Sequence, residues 1–119
     1  MNSSILMDVR GALGLLEEDD AFDSEIIMHV NSALAILRQN GVGLPTYVTD
    51  ISTLWSSFVD PEQVEGNLVF PMVKTYVFLK TKLLFDPPPP SNVTYVNESV
   101  SELLWRLREE YMEGDKYAQ

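Results

Sequence analysis

The sequence predicts an all-α fold: a small bundle of four long helices plus a short helix, with a proline-rich connection before the last helix. Apolar residues recur at helical spacing in four segments, and no strand-like alternation accompanies them. The chain has 119 residues, of which 45% are hydrophobic, so it can bury a core without disulfides. We place one helical domain at residues 1–112 and a flexible C-terminal tail at residues 113–119.

The first two helices flank an acidic turn. The first helix is predicted over about residues 4–15, with Ser3 or Ser4 as its N-cap. The acidic turn, residues 17–20, follows it. The second helix is predicted to begin with Asp23 as its N-cap and to end where Gly41 adopts the left-handed conformation.

In the middle of the chain, the sequence predicts a short helix followed by the most apolar helix of the protein. The short helix is expected near residues 52–58. The third long helix, about residues 68–85, is apolar on most of its circumference, so we expect it in the middle of the bundle. Pro71 is expected in its first turn, where the missing N–H costs little. The prolines at 87–90 predict a stiff polyproline spacer.

The last helix carries an aromatic residue on its polar side. It is predicted over about residues 93–112 and has one clean apolar stripe, from which Trp105 lies about 140° away. Two explanations remain open. The helix packs on two sides within the chain, against the segment around Trp55, or Trp105 contacts a neighbouring chain.

The charge excludes several partners. The chain has 18 acidic and 8 basic residues and a net charge of −10, and the first 66 residues carry eleven of the acids and only two of the bases. This balance disfavours nonspecific binding to nucleic acid or anionic membranes. We find no signal peptide and no apolar stretch of membrane-spanning length, so we expect a soluble intracellular protein.

The sequence contains few of the residues that catalytic and metal sites require. The chain has no Cys and a single His, His29, which we interpret as a residue at the boundary of the core. The acidic run at 17–25 lacks the ligand spacing of a calcium loop, so helix capping and solvation explain it better. The only basic cluster, Lys74, Lys80 and Lys82, is typical of the solvated edge of a helix. No catalytic residue, cofactor or metal site is predicted, and we do not expect an enzyme.

Three segments carry a resemblance to a known family. They are residues 73–88 (VKTYVFLKTKLLFDPP), residues 22–32 (FDSEIIMHVNS) closing at 41–43 (GVG), and residues 101–107 (SELLWRL). In this order they resemble the tailed-bacteriophage head–tail connector family, also called adaptor, DNA-packaging or head-completion proteins. The first segment is the most specific. Pro71 and the four consecutive prolines depart from the family pattern.

The resemblance implies a non-enzymatic structural protein of the virion. Its subunits would form a ring that joins the capsid portal to the neck or tail and forms part of the DNA exit channel. The implied partners are the portal protein, a head-closure or tail component and further copies of this chain, while DNA passes through without specific binding and no membrane is involved. The implied location is the head–tail neck, and the host cytoplasm during assembly.

Two groups of residues become candidates under this role. An acidic group is expected to face the channel or an adjacent ring: Glu17, Glu18, Asp19, Asp20, Asp60, Glu62 and Glu65. A second group is expected to contact the portal or a neighbouring subunit: Trp105, Arg106, Arg108 and Tyr111.

A different class of function fits the same helices. The chain would then be a small acidic all-helical protein-binding regulator, similar to an antitoxin and acting as a monomer or dimer. A helix-turn-helix repressor is weaker still, because neither candidate recognition helix has enough Arg, Lys, Asn and Gln. A large oligomer supports the connector, whereas a tight dimer supports the regulator.

Overall fold

The residues that a computed structural model of the chain describes form four α-helices and one 3₁₀ turn. The structure describes residues 1–60 and 66–117, and it describes the side chains of these residues except 66–68 and 112–117. The elements are α1 (Ile5–Ala12), α2 (Asp23–Gln39), the 3₁₀ turn (Trp55–Ser57), α3 (Gly66–Phe85) and α4 (Pro90–Tyr117). The described residues form no β-strand, and the predicted all-α bundle is confirmed.

The helix α3 lies in the middle of the molecule, as its apolar circumference predicts. It packs against α2 on one side and α4 on the other, while α1 packs against α2 and α3. Val73, Tyr76 and Val77 on α3 are buried in the single core. The molecule measures 45 × 35 × 20 Å, so the helices form a flat body.

The first helix is shorter than predicted because of a glycine. Ser4 is the N-cap, as predicted, and its hydroxyl accepts the backbone N–H of Met7 at 3.3 Å. At the other end, Gly14 adopts φ +81°, and the N–H of Leu15 donates to the carbonyl of Arg10 at 3.0 Å. This is a Schellman motif, in which a left-handed residue closes the helix. The chain therefore leaves the helix before residue 15.

The second helix ends as predicted but begins differently. Gly41 adopts φ +82°, and the N–H of Val42 donates to the carbonyl of Leu37 at 2.9 Å, which closes a second Schellman motif. The N-cap position is occupied by Phe22, with no side-chain capping bond. The predicted capping role of Asp23 is therefore wrong: Asp23 is the first helical residue, and its carboxylate binds a guanidinium on α1.

The prolines occupy positions that differ from the prediction. Pro71 lies inside α3, five residues after its first residue and not in its first turn. The turn before it buries Val69, which favours helix there despite the missing N–H. Pro90 begins α4, so only three prolines form the connection. Proline suits the first position of a helix, where its N–H would lack a partner in any case.

The fourth helix is longer than predicted at both ends. It begins at Pro90, before the expected start near residue 93, and it extends to Tyr117, beyond the expected end at residue 112. The division into a domain at 1–112 and a flexible tail at 113–119 stays a prediction.

The extended N-terminus pairs with the segment before the 3₁₀ turn. Ser4 and Leu54 form an isolated antiparallel bridge. The N–H of Trp55 donates to the carbonyl of Ser3 at 3.2 Å, and that of Ser56 donates to the carbonyl of Met1 at 2.9 Å. The predicted short helix is reduced to this turn, because the residues before it are extended along the N-terminus. Among the helices described, none combines the length and the apolar character that crossing a bilayer requires.

Candidate functional site

The acidic turn is held in place by one buried cation. Arg10 on α1 is only 6% exposed. Its Nε donates to Oδ1 of Asp23 at 3.0 Å, its Nη2 donates to Oδ2 of the same carboxylate, and its Nη1 donates to the carbonyl of Glu17 at 2.7 Å. The hydrogen bond that Arg10 donates to Asp23 raises the pKa of the Arg10 guanidinium, against the effect of burial. The end of α1 and the start of α2 are therefore fixed together.

Four of the predicted acidic residues lie together in this turn. Glu17, Glu18 and Asp20 are exposed, and Asp19 is half-buried with its carboxylate accepting the N–H of Ala21 at 3.1 Å. The carboxylates of Glu17, Glu18 and Asp20 thus face solvent at the end of the bundle where α2 begins.

Asp60 lies at the opposite end of the bundle. It is half-buried and is close enough to raise the pKa of Tyr111, which lies beside the backbone of Gly43 after the C-terminus of α2. The 17 residues of α2 separate the two acidic positions by about 25 Å. The structure therefore groups residues 17–20 but not Asp60, and Glu62 and Glu65 lie outside the described residues.

Trp105 is exposed on the outer side of α4. Its exposed fraction is 59%, whereas Trp55 is fully buried. Packing of Trp105 on a second side within the chain is therefore wrong as an explanation of its position. Arg106 is also exposed and donates to the carboxylate of Glu102 at 2.9 Å, and Arg108 is exposed. Contact of this surface with another chain stays a prediction.

Tyr111 does not share that surface. It is 8% exposed and belongs to the core. Burial raises the pKa of the Tyr111 phenol, and the neighbouring backbone of Gly43 partly offsets this rise. Any contribution of Tyr111 to a partner contact is therefore indirect, through the packing of α4.

The carboxylate of Asp8 on α1 contacts the N-terminal segment, the 3₁₀ turn and α3. The Oδ2 of Asp8 accepts hydrogen bonds from the Trp55 indole and the Ser3 hydroxyl, both at 2.8 Å, and the ammonium of Lys74 lies 3.6 Å away. Lys74 also lies 5.2 Å from the centre of the Phe70 ring. Lys74 thus links α1 to α3, whereas Lys82 is exposed to solvent. These two lysines of the predicted basic cluster therefore have different surroundings.

Two surface features were missed by the sequence patterns. Leu16 is 69% exposed and precedes Glu17 and Glu18 in the connection between α1 and α2. Its spacing continues the apolar stripe of α1, so the pattern assigns it to the core, but the helix has ended at Gly14. A groove of about 270 Å³ lies between α3 and α4, lined by Leu79, Lys82, Leu83, Pro88 and Val96.

The described residues offer little to a metal ion. No three His, Asp or Glu side chains converge as ligands in the part of the chain that the structure describes. His29 is half-buried, and its Nε2 lies 3.5 Å from a carboxylate oxygen of Glu25, one helical turn away.

The family comparison agrees with the sequence resemblance. A family model described as "Phage connector protein" matches residues 5–114. The match covers α1, α2 and α3 entirely and most of α4. Neither the curated proteins nor the solved structures contain a significant match to this chain.

Proposed function

The chain belongs to the phage connector protein family, and from this premise we propose that it forms a ring that joins the capsid portal to the neck or tail. The ring forms part of the channel through which DNA leaves the head. The observation that carries the proposal is the family match over residues 5–114, which includes α1, α2 and α3 entirely and most of α4. The role is structural and involves no catalysis. The match favours this role over a small acidic regulator.

The charge of the chain suits a subunit that DNA passes. A net charge of −10 repels phosphate at close range. Exposed lysines and arginines are what would hold DNA, by releasing its counterions. One of the two acidic ends of α2 faces the channel or an adjacent ring: either the turn at residues 17–20 or the end that carries Asp60. Because these ends are about 25 Å apart, the two alternatives require opposite orientations of the subunit.

Complementation of particles tests this role. In the phage that encodes the chain, deletion of its gene should leave filled heads that carry a portal but no tail. Purified chain added to such heads should appear in electron micrographs as a ring on the portal, and tails should then attach. Heads that join tails equally well without the chain would contradict the proposal. A reconstruction with both acidic ends on the outer rim would contradict the channel assignment alone.

The exposed surface of α4 is proposed to contact the portal. Trp105 supplies an apolar anchor, and Arg106 and Arg108 lie beside it. Trp105→Ala should reduce attachment of the chain to portal-bearing heads at least tenfold while leaving the stability of the chain nearly unchanged, because the indole is largely exposed. Tyr95→Ala is the matched control, because Tyr95 is 73% exposed on the same helix. Equal attachment of both variants and the unsubstituted chain would contradict this contact.

A further inference from the structure

Leu16 is an aliphatic side chain held out into solvent by its surroundings. The Schellman motif at Gly14 ends the helix just before it, and Arg10 fixes the next residue by binding the carbonyl of Glu17 at 2.7 Å. Leu16 is 69% exposed, with the exposed carboxylates of Glu17 and Glu18 beside it. We call Leu16 with these two glutamates the leucine knob. It combines one apolar side chain with two negative charges on a fixed backbone.

The groove between α3 and α4 has the complementary chemistry. Its walls are mainly apolar, and its exposed charged residue is Lys82, which makes no ion pair among the described residues. Its volume is about 270 Å³, and a cavity on the order of 150 Å³ already corresponds to a removed leucine side chain. The groove therefore has room for one leucine, with a cation at its edge for a neighbouring carboxylate.

The knob and the groove are separate surfaces near the same end of the bundle. The knob follows α1, and the groove lies beyond α3 on the α4 side. Both are near the start of α2, because Phe22 at that start touches Phe85 at the end of α3, with ring centres 5.5 Å apart. Two different complementary surfaces on one chain join copies head to tail, and such a contact forms a ring when the rotation between copies closes.

We propose that the leucine knob of one copy docks in the α3–α4 groove of the next copy, with Glu17 and Glu18 facing Lys82. This inference rests on the proposed ring and identifies its subunit contact. The acidic turn then lies between subunits, which favours the Asp60 end of α2 for the channel.

Covalent cross-linking tests the direction of the contact. The chain has no Cys, so the double variant Glu18→Cys/Pro88→Cys carries one thiol in the knob and one in the groove and keeps Leu16. A short bismaleimide should give a ladder of dimers, trimers and larger chains. Each single variant should give no covalent species above background. A ladder that stops at dimers, dimers from either single variant, or no ladder in the double variant would overturn the inference.

Charge reversal tests the partner. Lys82→Glu should weaken self-association measured by sedimentation at least tenfold, and Glu17→Lys/Glu18→Lys should do the same. Mixing these two variants should restore association, because every contact between unlike copies then brings opposite charges together. Arg38→Glu is the control, since Arg38 is exposed at the far end of α2. Unchanged association in Lys82→Glu, or no restoration on mixing, would overturn the contact.

The outcome is separable from that of the proposed function. If heads still need the chain for tail joining but the double cysteine variant gives no ladder on those heads, the connector role stands and this contact is wrong. If Lys82→Glu blocks tail joining while Leu16→Asp has no effect, the groove receives a different neck protein and the second copy is excluded as its occupant. If heads do not need the chain, the proposed function itself fails.

Discussion

Arg10 and Asp23 form the ion pair that joins the first two helices. The guanidinium is buried, whereas the side chain of Asp23 is 24% exposed. Asp23→Ala leaves the cation buried without its carboxylate, so we expect the free energy of unfolding to fall by about 2–4 kcal/mol. Urea unfolding followed by circular dichroism measures this change.

Arg10→Met is the control for this pair. It preserves most of the buried volume and leaves Asp23 free to reach water, so it should cost less than Asp23→Ala. If Arg10→Met destabilises the chain as much as Asp23→Ala, the loss of packing around α1 explains the effect, and the unpaired cation does not.

Tyr111 predicts a sensitivity to alkaline pH. Burial raises the pKa of its phenol in the folded chain. The unfolded chain, with a phenol pKa of about 10, releases this proton first as pH rises. Stability is therefore complete below about pH 10 and decreases as pH rises towards the folded pKa. Burial raises the pKa of Tyr76 in the same direction.

Phenylalanine variants measure this effect. Tyr111→Phe should reduce the loss of melting temperature between pH 9 and about pH 11, because the phenol no longer titrates. Tyr47→Phe is the control, since Tyr47 is 72% exposed and its phenol meets similar solvent in both states. An identical pH dependence in Tyr111→Phe and the unsubstituted chain would contradict the assigned role.

The interactions of single side chains were the least predictable feature of the structure. The sequence pattern assigned Asp23 to helix capping, which depends on neighbours within a few positions. Its actual partner, Arg10, lies 13 residues away on another helix. A charge pair at that separation follows from how two helices cross, which the periodicity of either helix does not specify.

At the scale of elements, glycines decide where helices end. Gly14 has φ +81° and Gly11, three residues before it, lies inside α1 with nothing within 4 Å of an added Cβ. Gly14→Ala should lower the free energy of unfolding by about 1–2 kcal/mol. Gly11→Ala should raise it by about 0.5–1 kcal/mol. Thermal unfolding of both variants tests the opposite signs, and equal signs would contradict the described end of α1.

Gly43 is restricted by contact as well as by conformation. It has φ +83°, and an added Cβ would overlap the buried ring of Phe58. At Gly41, with φ +82°, an added Cβ meets nothing within 4 Å. Gly43→Ala should therefore destabilise the chain by several kcal/mol, well beyond the approximately 1–2 kcal/mol expected of Gly41→Ala. Denaturant midpoints compare the two, and similar losses would mean that Phe58 moves aside at little cost.

The number and order of helices were predictable, but several of their ends were not. Long apolar periods found all four helices, and Gly41 ended α2 as expected. At Gly14 the apolar residues continue past the glycine, so periodicity extended α1 too far. Pro71 was expected to mark the first turn of α3, but α3 begins five residues earlier. Where packing and local signals disagree, the sequence alone does not show which prevails.

At the scale of the whole molecule, the net charge of −10 predicts weak contact with DNA. We expect no retardation of duplex DNA in gel-shift assays at physiological salt, even at high protein concentration, because the chain cannot release many counterions from phosphate. Neutralising the turn with Glu17→Gln/Glu18→Gln should not create binding. Retardation by the unsubstituted chain that disappears with added salt would contradict a channel that DNA passes unbound.

The arrangement of layers was predictable, but the contact surfaces were not. The apolar circumference of α3 indicated a central helix, and α3 lies between α2 and α4. The α3–α4 groove, by contrast, depends on how closely two helices approach near Pro88. The apolar spacing of α1 assigned Leu16 to the core, but α1 ends before this residue and leaves its side chain exposed. Surfaces of this kind arise from the ends and crossings of helices, which sequence periodicity describes least well.

The two tryptophans give the molecule two independent optical reporters. Trp55 is fully buried between Phe70 and Phe78, whereas Trp105 is 59% exposed. In the folded subunit, acrylamide should therefore quench the fluorescence of Trp105 and spare that of Trp55. Unfolding exposes the indole of Trp55, and the proposed docking on a portal would cover that of Trp105. Emission from Trp105→Phe thus follows folding, and emission from Trp55→Phe, where that variant folds, follows assembly on the same chain.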